Sequence, residues 1–93
     1  MRHVIWKYVL DQPINRLQMS ANAGCFKVSN QGQNIVMWAK APIDDPLEER
    51  IFRIVMTGEP ITSEDNLWLH YLGTAQLPFS SGEIVGHVFE DLR

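Results

Sequence analysis

Residues 25–41 read Cys25-Phe26-Lys27-Val28-Ser29-Asn30-Gln31-Gly32-Gln33-Asn34-Ile35-Val36-Met37-Trp38-Ala39-Lys40-Ala41, and the pattern is that of a β-hairpin. Phe26 and Val28 alternate with Lys27 and Ser29, the two-residue period of a strand. At the tip, Asn30 to Gln33 place Gly32 where a tight hairpin turn commonly needs a positive φ. The returning run, Asn34 to Ala41, is apolar on both faces in its middle, which predicts a central strand covered on both sides.

The same alternation extends outward. Val4, Trp6, Tyr8 and Leu10 share one face of an N-terminal run against His3, Ile5, Lys7 and Val9, and Asp11-Gln12-Pro13 ends it because proline cannot donate to a ladder. Leu17 and Met19 mark a weaker run. In Ile51–Thr57, Phe52, Ile54 and Met56 face one way and Arg53 the other. Leu67 to Gln76 predicts a further strand, with Gly73 as a bulge or close-contact point. Glu83 to Glu90 predicts the last, with Val85, His87 and Phe89 opposite Ile84, Gly86 and Val88. Between them, Asp45-Pro46-Leu47-Glu48 reads as one helical turn with an aspartate cap and proline at the first position. Thr62 to Asp65 could start a second, and Leu77 to Gly82 reads as a loop with Phe79 exposed. About seven short strands and at most one or two helical turns predict an all-β domain, a small antiparallel sandwich or barrel.

With 93 residues the chain has room for one domain, 1–93, large enough to fold without staples. It is 45% apolar and 20% charged with a net charge of -3, which excludes a disordered acidic tail and a basic nucleic-acid arm. Eight Lys and Arg against eleven Asp and Glu argue against a nucleic-acid polymer as partner. Lys7 interrupts the N-terminal apolar run too early for a signal peptide, and no window approaches the roughly 20 apolar residues of a membrane span. A cytosolic protein with no membrane contact is the expectation.

Candidate chemistry is sparse. The single Cys25 excludes an internal disulfide and stands beside Phe26 as a small buried hydrophobe does. His3, His70 and His87 lie on three runs without metal-ligand spacing, although neighbouring strands could bring His70 and His87 together. The carboxylates Asp44, Asp45, Glu48 and Glu49 lack calcium-loop spacing and read as a solvated loop. Neither a phosphate-binding glycine loop nor a nucleophile with an oriented base is present, so no metal, cofactor or enzymatic activity is expected. Trp6, Trp38 and Trp68 are many for so short a chain. They predict core packing, a subunit-interface anchor, or a stacking wall for a flat ligand. With Arg50, Arg53 or Lys40 beside it, Trp38 could hold a nucleotide-like small molecule.

Ile5-Trp6-Lys7-Tyr8-Val9-Leu10, Trp38-Ala39, Glu49-Arg50-Ile51-Phe52-Arg53-Ile54, Thr57-Gly58-Glu59-Pro60-Ile61, Tyr71-Leu72-Gly73-Thr74 and His87-Val88-Phe89-Glu90 follow one another along nearly the whole chain. In order and spacing they resemble a family of short, uncharacterised proteins of tailed bacteriophages and prophages, with an I-W-K-Y-like start and an H-V-F-E-like end. That family often reads T-G-H-P-I where this chain has Glu59, so any chemistry carried by that histidine is in doubt here. The resemblance implies an accessory protein acting in the cytoplasm of a bacterial host, and directs attention to Arg50, Thr57, Thr74 and His87. The expected function is non-catalytic binding by a homo-oligomer that contacts a host or phage protein. The alternatives are sequestration of a nucleotide-like signal and a minor structural role in the virion.

Overall fold

The computed structural model describes residues 2–77 and 84–93. In chain order these form β1 (His3–Leu10), β2 (Ile14–Ser20), β3 (Gly24–Gln31), β4 (Asn34–Pro42), β5 (Leu47–Met56), α1 (Ser63–Trp68), β6 (Leu69–Leu77) and β7 (Ile84–Asp91). All strand pairs are antiparallel. They sort into a three-stranded sheet, β1-β4-β3, and a four-stranded sheet, β2-β5-β7-β6. Two separate sheets make the all-β fold a sandwich rather than a closed barrel.

The β3–β4 hairpin turns on Gly32, whose φ of 60° suits a two-residue loop with glycine first. Beyond that turn, β4 sends Ile35, Met37, Ala39 and Ala41 into the space between the sheets, where Leu10, Met19, Phe52 and Val88 meet them. The small side chains at Ala39, Ala41 and Ala75 let the two sheets approach. Burying a side chain such as Phe52 contributes roughly 2–3 kcal/mol. On the opposite face of β4 only Val36 is buried, while Trp38 is half-buried and Lys40 exposed. The expected cover on both sides is therefore incomplete, and the outer face of the three-stranded sheet stays open.

Two local expectations are corrected. Asp45-Pro46-Leu47-Glu48 does not turn into a helix: Leu47 and Glu48 already belong to β5, paired with Ser20 and Met19 of β2. The Asp45 side chain accepts from the Ser20 hydroxyl and from Asn22 instead of capping a helix, and these bonds, Ser20 first, hold its carboxyl below the usual range. Leu67 and Trp68 are not strand residues but the end of α1, which starts where Thr62 Oγ1 accepts from the Asp65 amide at 3.1 Å. The side-chain cap makes the local helical turn competitive with a strand whose pairing begins only at Leu69. Leu77 ends β6 and is buried, whereas the remainder of the expected loop, with Phe79, and the predicted strand start at Glu83 lie outside the described residues.

Gly73 does mark a bulge: the β6–β7 register shifts between Tyr71 and Gly73. Here β6 lies against β3 and closes one side of the sandwich. A Cβ on Gly73 would stand 2.7 Å from Val28 Cβ, an atom fixed to the β3 backbone that cannot swing aside. Gly73→Ala is expected to cost about 1–3 kcal/mol in urea denaturation. Val28→Gly in the same chain removes that Cβ together with its methyl groups, and part of the loss should return; full additivity of the two changes would refute the close approach as its cause.

Candidate functional site

The six residues singled out for binding fall in three places. Strand parity decides which. Thr57, Thr74 and His87 meet on the outer face of the four-stranded sheet. His87 stands opposite Thr74 in the β6–β7 register, and the Thr57 amide bonds the Val85 carbonyl just past β5. His87 Nε2 lies 2.7 Å from Thr57 Oγ1 and Nδ1 lies 2.9 Å from Thr74 Oγ1. Thr74 Oγ1 is in turn 2.5 Å from the Tyr71 hydroxyl, and the Tyr71 ring meets Phe89 edge-on at 5.6 Å. Tyr71 was not among the expected residues; its position on the same strand face as Thr74 appears only once the bulge at Gly73 shifts the alternation.

A neutral imidazole donates from one nitrogen and accepts at the other, and hydroxyl groups can serve either role. The chain of bonds therefore closes without a charge. Among the described residues it contains no carboxylate to orient the imidazole and stabilise its cation, the feature a Ser-His-Asp type relay needs. What it can do is present an ordered row of hydroxyl groups on a sheet surface.

Arg50 has the parity of Phe52 and turns inward. Its Nε and Nη2 donate to the two carboxylate oxygens of Glu90 at 2.7 and 2.8 Å, and Nη1 donates to the carbonyls of Ser20 and Ala23 at 3.0 and 2.9 Å. The guanidinium also lies 5.7 Å from the Phe52 ring centre. Arg53, on the outer face, pairs with Asp65 of α1 at 3.3 Å, and Arg93 joins Asp65 to Asp91 at 2.9 and 2.7 Å. This network ties the helix to the sheet. Trp38 stands apart from all of these, on the outer face of the other sheet.

Cys25 is half-buried, and burial pushes its thiol up, which suppresses the thiolate. His70 and His87 do not meet: His70 pairs with Glu90 and His87 with Thr74, and alternation puts Glu90 and His87 on opposite faces. Among the described residues no group of three His, Cys, Asp or Glu could hold a metal ion, and no helix is long and apolar enough to cross a membrane.

Two surfaces that the sequence reading did not single out complete the picture. One is the free edge of β1, beside a groove of about 340 Å³ lined by Val4, Trp6, Tyr8, Ile43 and Leu47 among others. The other is the outer face of β1-β4-β3, which carries Lys7, Lys27 and Lys40. These are all the lysines in the chain, and no Asp or Glu lies in those three strands.

Among the described residues, fold and surface together define a small all-β sandwich domain with an open sheet face and an unpaired strand edge. The chain belongs to the DUF7352 family, a domain of unknown function, whose family model matches residues 1–93. No curated protein and no solved structure matches it.

Two outcomes follow from the ion pairs. Arg50→Met takes the guanidinium from Glu90 and from the Ala23 carbonyl and one of two donors from the Ser20 carbonyl, and should cost about 3 kcal/mol in chemical denaturation. Arg50→Lys keeps the charge but not the fork and should recover only part. The Asp65 carboxyl is held low, by Arg53 first and by Arg93, and the Asp91 carboxyl by Arg93. Their contribution is complete above the ordinary aspartate pKa of about 4 and is lost as pH falls through the lower folded values. The urea midpoint should drop as pH falls below about 4, and less so in Asp65→Asn.

Proposed function

We propose that this domain is a non-catalytic binding protein that self-associates through the edge of β1. The observation that carries the reading is an edge left without the usual guards. β1 pairs with β4 over all eight residues with no register shift, contains no proline, and has no strand on its other side among the described residues. By contrast β3 and β6, the edges at the other side of the sandwich, each carry a bulge. Ile5, Trp6 and Val9 are 56%, 55% and 44% exposed, on both faces of the strand.

Lys7, the one charged residue in the middle of β1, does not guard the edge. Its ammonium reaches back across β4 to Gln31 of β3 at 2.6 Å. An unprotected flat edge is a template for another strand. Antiparallel pairing of β1 with its copy would be self-complementary about a two-fold axis and would join two three-stranded sheets into one of six. Trp6 would then be covered by the second copy.

The same edge suits a strand offered by another protein, and the resemblance to short phage proteins supplies a setting: an accessory protein that contacts a host or phage partner in the bacterial cytoplasm. Native mass spectrometry at roughly ten micromolar should give twice the 10.7 kDa chain mass with no added ligand. Trp6→Lys places a charge beside the pairing edge and should return a folded monomer with an unchanged far-ultraviolet spectrum. In the wild-type chain, β1 amides should exchange more slowly as concentration rises. A wild-type monomer with freely exchanging β1 amides would remove the self-association.

A further inference from the structure

We propose that the outer face of the three-stranded sheet binds single-stranded nucleic acid, with Trp38 as a stacking platform between lysines. The proposal does not depend on pairing at the β1 edge. It begins from the register: Lys7 of β1 and Lys27 of β3 both stand directly opposite Trp38 of β4. Neighbouring strands lie about 4.8 Å apart, so the two lysine backbones flank the indole across a span of about 10 Å. Lys7 Nζ lies 5.8 Å from the Trp38 ring centre. One row further along, Lys40 stands between Ile5 and Gly24.

Beside this row the face is concave. A depression of about 440 Å³ is lined by His3, Ile5, Asn22, Gly24, Phe26 and Lys40. Phe26 is 58% exposed at the β3 bulge, and nothing lies within 4 Å of where a Gly24 Cβ would be. Asp45, next to Asn22 at the rim, is engaged by the Ser20 hydroxyl and by Asn22. The face thus offers two aromatic surfaces with three ammonium groups around them, and its strands contribute no opposing carboxylate.

The occupant follows from that chemistry. A second copy of this face would set lysines against lysines, and an acidic peptide would use the charges but leave Trp38 and Phe26 without flat partners. A single strand supplies both: bases to stack on aromatic rings and phosphates at intervals for the lysines. A duplex hides its bases and cannot stack on the face. The chain's net charge of -3 sums over both sheets and the loops, whereas the field at this face is set by its own residues.

The test is fluorescence anisotropy of the full chain with labelled oligothymidylate and oligouridylate of about 12 nucleotides at about 50 mM salt. Saturable binding is expected, at least tenfold tighter than to a duplex of equal length, with quenching of tryptophan emission. Lys27→Gln and Lys40→Gln should each weaken it several-fold and lower the salt slope by about 0.7. Arg16→Gln, on the other sheet, should change nothing. Trp38→Phe keeps a ring for packing and should weaken binding without unfolding the chain, as its circular dichroism would report. No binding, equal binding to duplex, or lysine variants that bind as wild type would overturn the proposal. Displacement by thymidine monophosphate or by polyglutamate at equal concentration would overturn it in favour of a mononucleotide or an acidic peptide.

Discussion

The bond on which the two sheets depend is the four-point grip of Arg50. A sandwich needs the chain to leave one sheet and enter the other, and the β2–β3 connection does so within Ala21 to Ala23. At its two ends the backbone carbonyls turn away from the ladders, and that of Ser20 already accepts from the Ala23 amide at 3.1 Å. Arg50 Nη1 collects two of them, at Ser20 and Ala23, while the other edge of the same guanidinium is fixed by Glu90. One planar group therefore fastens β5, β7 and the crossover together, with the Phe52 ring beneath it. A lysine has the charge for this but not the fork. The parity that turns Arg50 inward also removes it from any ligand on the outer faces.

Much of this was legible in the sequence, for a physical reason. Where one face of a strand is buried and the other is not, side chains must alternate, so the inward sets Phe52-Ile54-Met56 and Gly86-Val88 could be read without a structure. Gly73 was legible as well, because a glycine inside a strand pattern signals a bulge or a close neighbour, and here it is both. The two misread segments share a cause. At Leu47-Glu48 the local cap-and-proline signal was overridden by a partner strand more than twenty residues away, and at Leu67-Trp68 an apparent alternation was overridden by the Thr62 cap. Short segments carry too few residues for local preference to prevail over pairing, or for a period to be distinguished from chance.

The candidate residues were harder to place, because parity assigns a face but not a neighbour. Thr57, Thr74 and His87 come from three separate stretches, and only the order β5-β7-β6 brings them into one row. Arg50 shared the parity of Phe52, a sign of its inward role that was present in the sequence. The lysine face was missed through averaging. Lys7, Lys27 and Lys40 lie in three segments that look unremarkable singly, and the count of acids over the whole chain conceals that none of them falls in those segments.

That segregation gives the molecule a direction. Lys7, Lys27 and Lys40 stand on one broad face whose strands hold no acid, while the strands of the opposite layer carry four acids and three arginines, with Glu49 paired to Arg16, Glu90 to Arg50 and Asp91 to Arg93, in a body only 17 Å across its shortest dimension. Such a plate has a permanent dipole across its thickness, so its approach to any charged surface is oriented before contact. Near a negatively charged one it arrives lysine face first although its net charge is repelled, and the rotational search for a productive encounter is shortened accordingly.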